Sequence, residues 1–410
     1  MNQTSTLNKL FRSNETTTIG KKRQMLWQHI VSLLYHLGPL SNPELSQLLN
    51  ISIPTINRSL LYLIDLKIVN DLGLGNSIGG RRPNLFGINP ESGFVLAIDI
   101  SLFSVRIALM DLQNELVGRV LHFDTPLENT PEYVEFVIDK ALKFTQEACG
   151  GTERLIGAGI ALPGLLNPQS GCSFTHLTYS QQPIRDVFQE KLGIPVFIDN
   201  DARMMTMGEF RFGKAKGKNN ILCLNIGAGL GLGMIFDGKI YQGANGFAGE
   251  FGHIKIMDDG VQCICGKNGC LETLTSGPAL ERRIHEELAR GAVSSLQSNM
   301  NISYEDVIAA ALADDPLSIH LIAECGNWLG RGLATLVHLH NPEMIILGGV
   351  ISQTGHLLLD SINQSLNQCA ISKIRKEAQI VISGLGDKAA LLGAQSIVIN
   401  HVFPFQLVRK

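Results

Sequence analysis

Gly249-Glu-Phe-Gly-His253, then nine residues, then Cys263-Ile-Cys-Gly-Lys-Asn-Gly-Cys-Leu-Glu272 is the stretch on which the reading of this chain turns. His253, Cys263, Cys265 and Cys270 bring one imidazole and three thiolates within eighteen positions, the ligand set of a closed tetrahedral zinc site. Four protein ligands leave no coordination position for water, so such a zinc ion is structural and organises a loop. Gly252, Gly266 and Gly269 permit the tight turns that converging ligands require. The alternative is a set of ordinary reduced cysteines.

The same residues carry a resemblance. Glu-x-x-His followed by Cys-x-Cys-Gly-x-x-Gly-Cys-Leu-Glu resembles the signature of the ROK family, which joins repressors, open reading frames and sugar kinases. The resemblance implies that the histidine and cysteines hold zinc and that Glu250, His253 and Glu272 line a sugar pocket. Val95-Leu-Ala-Ile-Asp-Ile-Ser101 with Val105-Arg-Ile-Ala-Leu-Met-Asp-Leu112 reads as two strands. Ile221-Leu-Cys-Leu-Asn-Ile-Gly227 with Gly233-Met-Ile-Phe-Asp-Gly238 repeats the pattern. Two similar α/β lobes of an actin-like or hexokinase-like body are therefore expected, as the resemblance also implies. Lobe 1 is placed at 91–218, with 388–410 returning to it, and lobe 2 at 219–387. Gly157-Ala-Gly-Ile-Ala-Leu-Pro-Gly164 is similar to a further family segment.

Val196-Phe-Ile-Asp-Asn-Asp-Ala202 ends an apolar strand on Asn200 and Asp201. In the resembling kinases this aspartate takes the proton of the attacking sugar hydroxyl and the asparagine holds the sugar, so Asp201 is a general base if the chain is a kinase. Taken by itself, Asp201 reads rather as a cap of the following helix, and it is Glu250, His253 and Glu272 that turn the reading toward a sugar pocket. Those kinases carry Asp-x-Gly-Gly-Thr where this chain reads Asp99-Ile-Ser-Leu-Phe-Ser104. Leu102 and Phe103 put bulk where phosphates need bare backbone, so the first phosphate loop reads as disabled. Gly227-Ala-Gly-Leu-Gly-Leu-Gly233 retains a glycine-rich turn, and Leu347-Gly-Gly-Val350 resembles the segment near adenine. Such turns also serve simply to pack a strand on a helix.

The front of the chain reads differently. Residues 1–23 are expected to be a flexible arm, carrying Lys9, Arg12, Lys21 and Lys22. Residues 24–90 are expected to form a winged helix-turn-helix. A first helix runs to Gly38-Pro39, Ser41 and Glu44 make a capping box for a second, and Ser52 caps a third with Ile56, Leu60, Leu63 and Ile64 inward. Thr55, Asn57 and Arg58 then face a major groove, with Arg58 suited to guanine and Asn57 to adenine. Asp71 to Pro83 is a hairpin in which Gly79 and Gly80 allow close approach and Arg81 and Arg82 suit a narrow minor groove. A plain helical bundle is the competing reading. ROK repressors resemble this arrangement ahead of their sugar-binding body, and ROK sugar kinases lack it.

Charge agrees with a polyanion at one end only. Up to Pro90 there are nine Lys/Arg and four Asp/Glu, a net of +5, against −3 for the chain, which leaves −8 for the remainder. No apolar run has signal-peptide or bilayer-spanning character, and five cysteines outside the cluster (Cys149, Cys172, Cys223, Cys325, Cys369) read as reduced thiols, so a cytoplasmic protein is expected. The expectation is a DNA-binding regulator, a repressor that recognises a palindromic operator as a homodimer or homotetramer. A sugar bound between the lobes would alter their closure and release the DNA. The alternative is an ATP- and magnesium-dependent hexose or N-acyl-hexosamine kinase with a fused DNA-binding domain.

Overall fold

The computed structural model describes residues 7, 10, 17–75, 82–299 and 301–404. Arg81, Gly79, Gly80, Lys9 and Arg12 lie outside the described residues. Contacts divide the chain into two compact units. Unit 1 holds the residues up to Leu162, Ser170–Ile198 and those from Ala394 on; unit 2 holds Pro163–Gln169 and Asp199–Gly393.

Unit 1 begins with α1 (Thr18–Leu37), capped by the Thr17 hydroxyl, which accepts from the Gly20 amide at 3.1 Å. The helix starts six residues before the expected position, and Leu7 and Leu10 are buried beside it, so the arm expected over 1–23 is anchored at these points. Gln24 fixes it by donating to the Leu10 carbonyl at 2.7 Å. After β1 (Leu40–Ser41), the Ser41–Glu44 capping box starts α2 (Asn42–Leu49). Asn50 then turns the chain in the left-handed region, φ 55°, into α3 (Ile53–Asp65). Ser52 makes no side-chain cap; its hydroxyl meets that of Thr55 at 2.9 Å. Ile56, Leu60 and Leu63 are buried as expected, whereas Ile64 is half-buried. β2 (Val69–Leu74) and β3 (Asn84–Ile88) form the antiparallel wing, and β1 pairs with β3.

The body's first sheet contains β4 (Phe94–Ile100), β5 (Ser104–Met110), β6 (Leu121–Asp124), β7 (Leu155–Leu162) and β8 (Val196–Asn200), in the order β8-β7-β4-β5-β6. Helices α4 (Pro131–Cys149) and α5 (Ile184–Leu192) belong to the same stretch of chain. Unit 2 opens with α6 (Asp201–Phe212) and builds a sheet from β9 (Ile221–Ile226), β10 (Leu230–Phe236), β11 (Lys239–Ile240), β12 (Met344–Gly348) and β13 (Gln379–Ile382), in the order β13-β12-β9-β10-β11. Both sheets therefore run fifth-fourth-first-second-third, with an antiparallel hairpin first and a parallel crossover next. The duplication inferred from the two strand pairs is a duplication of whole-sheet topology.

The helices α7 (Glu272–Thr275), α8 (Gly277–Ala289), α9 (Tyr304–Leu312), α10 (Pro316–His340), α11 (His356–Cys369) and α12 (Ser372–Glu377) complete unit 2. Its main core joins Leu222, Leu224 and Leu347 of the sheet to Ile284, Leu329, Leu333 and Ile362 of these helices. The boundary falls between Ile198 and Asp199, earlier than the 218 suggested by the repeat, because α6 packs on β9 and β10. Gly231 and Gly233 make this possible: a Cβ at Gly231 would stand 2.7 Å from that of Ala202, and one at Gly233 1.9 Å from the Thr206 hydroxyl.

The last helix, α13 (Ala389–Val402), lies directly on β7, where a Cβ at Gly159 would stand 2.0 Å from the Ala394 carbonyl oxygen. Its end enters a core that is common to the winged helix and the first body sheet: Ile30, Leu34, Ile56 and Leu60 share it with Val95, Ile156, Val398 and Phe403. Among the described residues, no helix is long and apolar enough to cross a membrane.

Candidate functional site

The loop between β11 and α7 folds on itself because its hydrogen bonds close over very short spans. Cys263 donates its amide to the Lys267 carbonyl at 2.7 Å, Gly266 to that of Cys263 at 2.9 Å, and Gly269 to that of Val261 at 3.0 Å. Isolated bridges tie Lys255 to Cys270 and Gln262 to Asn268. Gly269, at φ +76°, sits so close to the Met257 carbonyl that a Cβ would stand 1.8 Å from it. The result gathers His253, Cys263, Cys265 and Cys270, whose ligand atoms all lie within 4.8 Å of one another. His253 Nδ1 lies 3.5 Å from Cys263 Sγ, and Cys265 Sγ lies 3.5 Å from Cys270 Sγ. Edges of about 3.5 to 3.8 Å are those of a tetrahedron with zinc–ligand bonds of about 2.0 to 2.3 Å, so the donors fit such an ion. Burial raises the thiol pKa values of Cys263 and Cys270, while the Lys267 amide lowers that of Cys265. Buried thiols become thiolates together only with a cation among them.

His253 ends the turn Phe251–His253 and is two-sided. Nδ1 faces the thiols, and Nε2 lies on the side of the Glu250 carboxylate, 3.9 Å away and beyond hydrogen-bond distance. Glu272, at the start of α7, accepts from the Leu230 amide at 3.0 Å through one oxygen and has the other 3.9 Å from Cys263 Sγ. The glutamate therefore joins the cysteine loop to the glycine turn before β10.

Asn200, not Asp201, caps α6. Its side-chain oxygen accepts from the Ala202 and Arg203 amides at 3.0 and 3.2 Å, and its NH2 donates to the Gly164 carbonyl at 3.2 Å. Asp201 is left with its carboxylate accepting from the Ala202 amide at 2.8 Å and from Asn225 Nδ2 at 3.1 Å. Burial raises its pKa above the ordinary 3.8, against the lowering influence of its hydrogen bonds and of Arg203. Glu250 is likewise raised, first by burial, with Glu272 and Asp201 adding to the effect and His253 and Arg203 opposing it. Unit 2 thus brings together Asn200, Asp201, Glu250, His253 and Glu272.

Arg203 escaped the reading of the sequence. Its Nε donates to Asp199 at 2.6 Å with both side chains almost fully buried, and its Nη1 reaches the Ala248 carbonyl at 3.4 Å. Gln242 donates to the other Asp199 oxygen at 2.9 Å, so the pair ties α6 to the loop that delivers Glu250. The i to i+4 spacing of Asp199 and Arg203 across the start of a helix was the available signal.

Of the glycine turn, Gly231 and Gly233 are committed to packing α6, while Gly227 bonds internally through its amide to the Gly229 carbonyl at 3.0 Å. In unit 1, the residues in place of the first phosphate loop close a tight hairpin: the Ser101 amide donates to the Ser104 carbonyl at 2.9 Å, and the Ser104 amide donates to the Ser101 hydroxyl at 3.1 Å. Those amides are occupied, and the Phe103 side chain projects from the turn, 55% exposed. The Thr55, Asn57 and Arg58 side chains are exposed on α3, as is Arg82 at the foot of the wing.

The raised pKa of Asp201 has a consequence for stability. Between 3.8 and the raised value the folded chain keeps a proton that the unfolded chain releases, so stability falls as pH rises through that window and stays lower above it. Asp201→Asn is expected to raise the unfolding midpoint at pH 7 and to leave it near that of the parent at pH 3. Equal or lower stability of the variant at pH 7 is the contrary result.

Residues 95–401 match the model of the ROK family. The xylose repressor of Bacillus subtilis (strain 168) is 31% identical over 368 residues, which is 89% of this chain and 92% of that protein. Among solved structures, one described as a ROK family transcriptional regulator and homolog of the E. coli MLC protein is similar, with a TM-score of 0.77, 28% identity, and coverage of 92% of this chain and 96% of that one. A ROK family glucokinase from Streptomyces griseus, solved in complex with glucose and AMPPNP, has a TM-score of 0.65 and 30% identity and covers 74% of this chain and 99% of its own.

Proposed function

Because this chain belongs to the ROK family, we propose that it is a sugar-responsive transcriptional repressor, with α2, α3 and the β2–β3 wing as its operator-binding part. The carrying observation is the front of unit 1, a helix pair and wing ahead of the 95–401 body. The regulator and repressor relatives match about nine-tenths of the chain, and the glucokinase about three-quarters. Thr55, Asn57 and Arg58 are assigned to the major groove and Arg81 and Arg82 to the minor groove. Asn200, Asp201, Glu250, His253 and Glu272 are assigned to the sugar, whose hydroxyls donate to the carboxylates. A zinc ion held by His253 Nδ1, Cys263, Cys265 and Cys270 is assigned a structural part: it supplies the fixed geometry that places Glu250 and Glu272. The protein acts in the cytoplasm as a homodimer or homotetramer on a palindromic site.

The test is duplex binding by the whole chain, with D-xylose, D-glucose and N-acetyl-D-glucosamine each added in turn. One sugar is expected to weaken operator binding by about 5- to 150-fold. Arg58→Ala is expected to cost about 1 to 3 kcal/mol of operator affinity and to relax preference at one base pair. Failure of the chain to select any duplex would sink the proposal.

Asp201 favours a second reading, since a carboxylate of raised pKa at a helix start is suited to accept a hydroxyl proton. Against it, Leu102 and Phe103 put side chains where a phosphate loop needs bare backbone, and the Ser101 and Ser104 amides are engaged within the hairpin. An ATP-coupled assay with the same sugars decides it: turnover abolished by Asp201→Asn marks a kinase.

A further inference from the structure

Asparagine recognises adenine through both ends of its amide, the NH2 donating to N7 and the oxygen accepting from N6. In this protein one end is already engaged. The Asn42 NH2, in the first turn of α2, donates to the Asn57 side-chain oxygen on the exposed face of α3. Asn42 is half-buried, and its own side-chain oxygen is buried without a hydrogen bond. Its neighbours hold it in place independently of Asn57: the Ser41–Glu44 capping box fixes the helix start, with the Ser41 amide donating to Glu44 at 2.8 Å. The remaining outward groups of α3 are also sorted. The Thr55 hydroxyl is shared with Ser52 at 2.9 Å, and the Tyr62 ring stacks on Trp27 at 4.1 Å.

We propose that Asn42 is a positioning residue that sets operator specificity: by holding the Asn57 oxygen toward itself it fixes the amide orientation and turns the Asn57 NH2 to the groove. Asn57 then reads a hydrogen-bond acceptor on a base edge in one-point contact, guanine O6 or N7, thymine O4 or adenine N7, and loses the two-point contact that singles adenine out. This refines the adenine assignment that the residue type alone suggests, and it rests on the operator-binding reading above. It also makes a chemical inversion available. Aspartate at position 42 can only accept, so it would draw the Asn57 NH2 to itself and turn the Asn57 oxygen outward, where it reads a donor such as cytosine N4 or adenine N6.

The test is selection from a random duplex pool by the full chain and by three variants, Asn42→Ala, Asn42→Asp and Asn57→Ala, each first checked for an unchanged thermal midpoint. Asn57→Ala identifies the base pair that Asn57 reads by flattening that column alone. At that pair the parent is expected to prefer an acceptor. Asn42→Ala is expected to gain about five- to tenfold in adenine preference, and Asn42→Asp to move preference to a donor. Should Asn42→Ala be unstable, the inversion by Asn42→Asp carries the test. The inference is overturned if the column is unchanged in both position-42 variants, or if Asn57→Ala alters no column; in either case duplex selection itself survives, and so does the repressor reading. Enrichment of no duplex by any of the four proteins removes both.

Discussion

Cys270→Ser is expected to lose the bound metal and, with it, the response to sugar. The Cys270 side chain is fully buried, its backbone bridges Lys255, and Leu271 and Glu272 follow it into the core and the site. Serine preserves the volume but supplies a poor zinc ligand, and the remaining donors can no longer close a tetrahedron. Structural zinc sites in small peptides contribute about 10 to 16 kcal/mol of apparent binding free energy. In a loop that also packs on a large core, a loss of about 5 kcal/mol or more is expected. Metal analysis is expected to fall from about one zinc per chain to none, and chelation of the parent should reproduce the thermal shift. Duplex binding is expected to persist, because α2, α3 and the wing belong to unit 1, whereas Glu250, His253 and Glu272 belong to the affected loop in unit 2. A Cys270→Ser protein with parental thermal stability and full sugar response would show that the cluster holds no structural ion.

The cysteine loop was legible because its chemistry lies in consecutive spacing: short turns of glycine and a Cys-x-Cys pair can converge on one point without help from the rest of the chain. The body's repeat was legible for a similar reason, since each strand pair is a local hairpin. What escaped were properties set by contacts distant in sequence. The strand-to-helix run Ile198 to Ala202 gives no hint that Asn200 rather than Asp201 caps α6, because both residue types cap well and the choice is made by the Gly164 carbonyl and by Asn225. Apart from its spacing from Asp199, nothing in the local sequence singles out Arg203, which is 2% exposed and bonded through Nε to Asp199 and through Nη1 to the Ala248 carbonyl. The glycine-rich turn was half misleading in a physically simple way: Gly231 and Gly233 are required by the approach of α6, which phosphate binding and packing alike can impose on a sequence. At the front, the alternation of Ser41, Glu44 and Leu45 was sufficient for α2, but nothing local reveals that Asn42 holds Asn57.

The winged helix was expected to be a domain of its own ending at residue 90, and its packing leads to a second large effect. Phe403 is fully buried in the core that includes Ile30, Leu34, Ile56 and Leu60 of the front together with Val95 and Ile156 of the first body sheet. Its ring lies 5.4 Å from that of Tyr35, and its carbonyl accepts from His36 Nε2 at 2.8 Å. The next carbonyl, of Pro404, accepts from the Ser32 hydroxyl at 3.2 Å. Residues more than 360 positions apart in sequence thus complete the face of α1 opposite its exposed side. Phe403→Ala is expected to remove about 3 to 5 kcal/mol from unit 1, the transfer free energy of the ring plus the cavity left behind, and Phe403→Leu about 1 kcal/mol. Because α1 supports α3 from within that core, operator affinity should fall in parallel with the unfolding midpoint, while zinc content, a property of unit 2, stays at the parental value. A self-sufficient front domain predicts the opposite: Phe403→Ala with parental duplex affinity and a stability lowered by less than about 1 kcal/mol would show that α1 to β3 stand without the last helix.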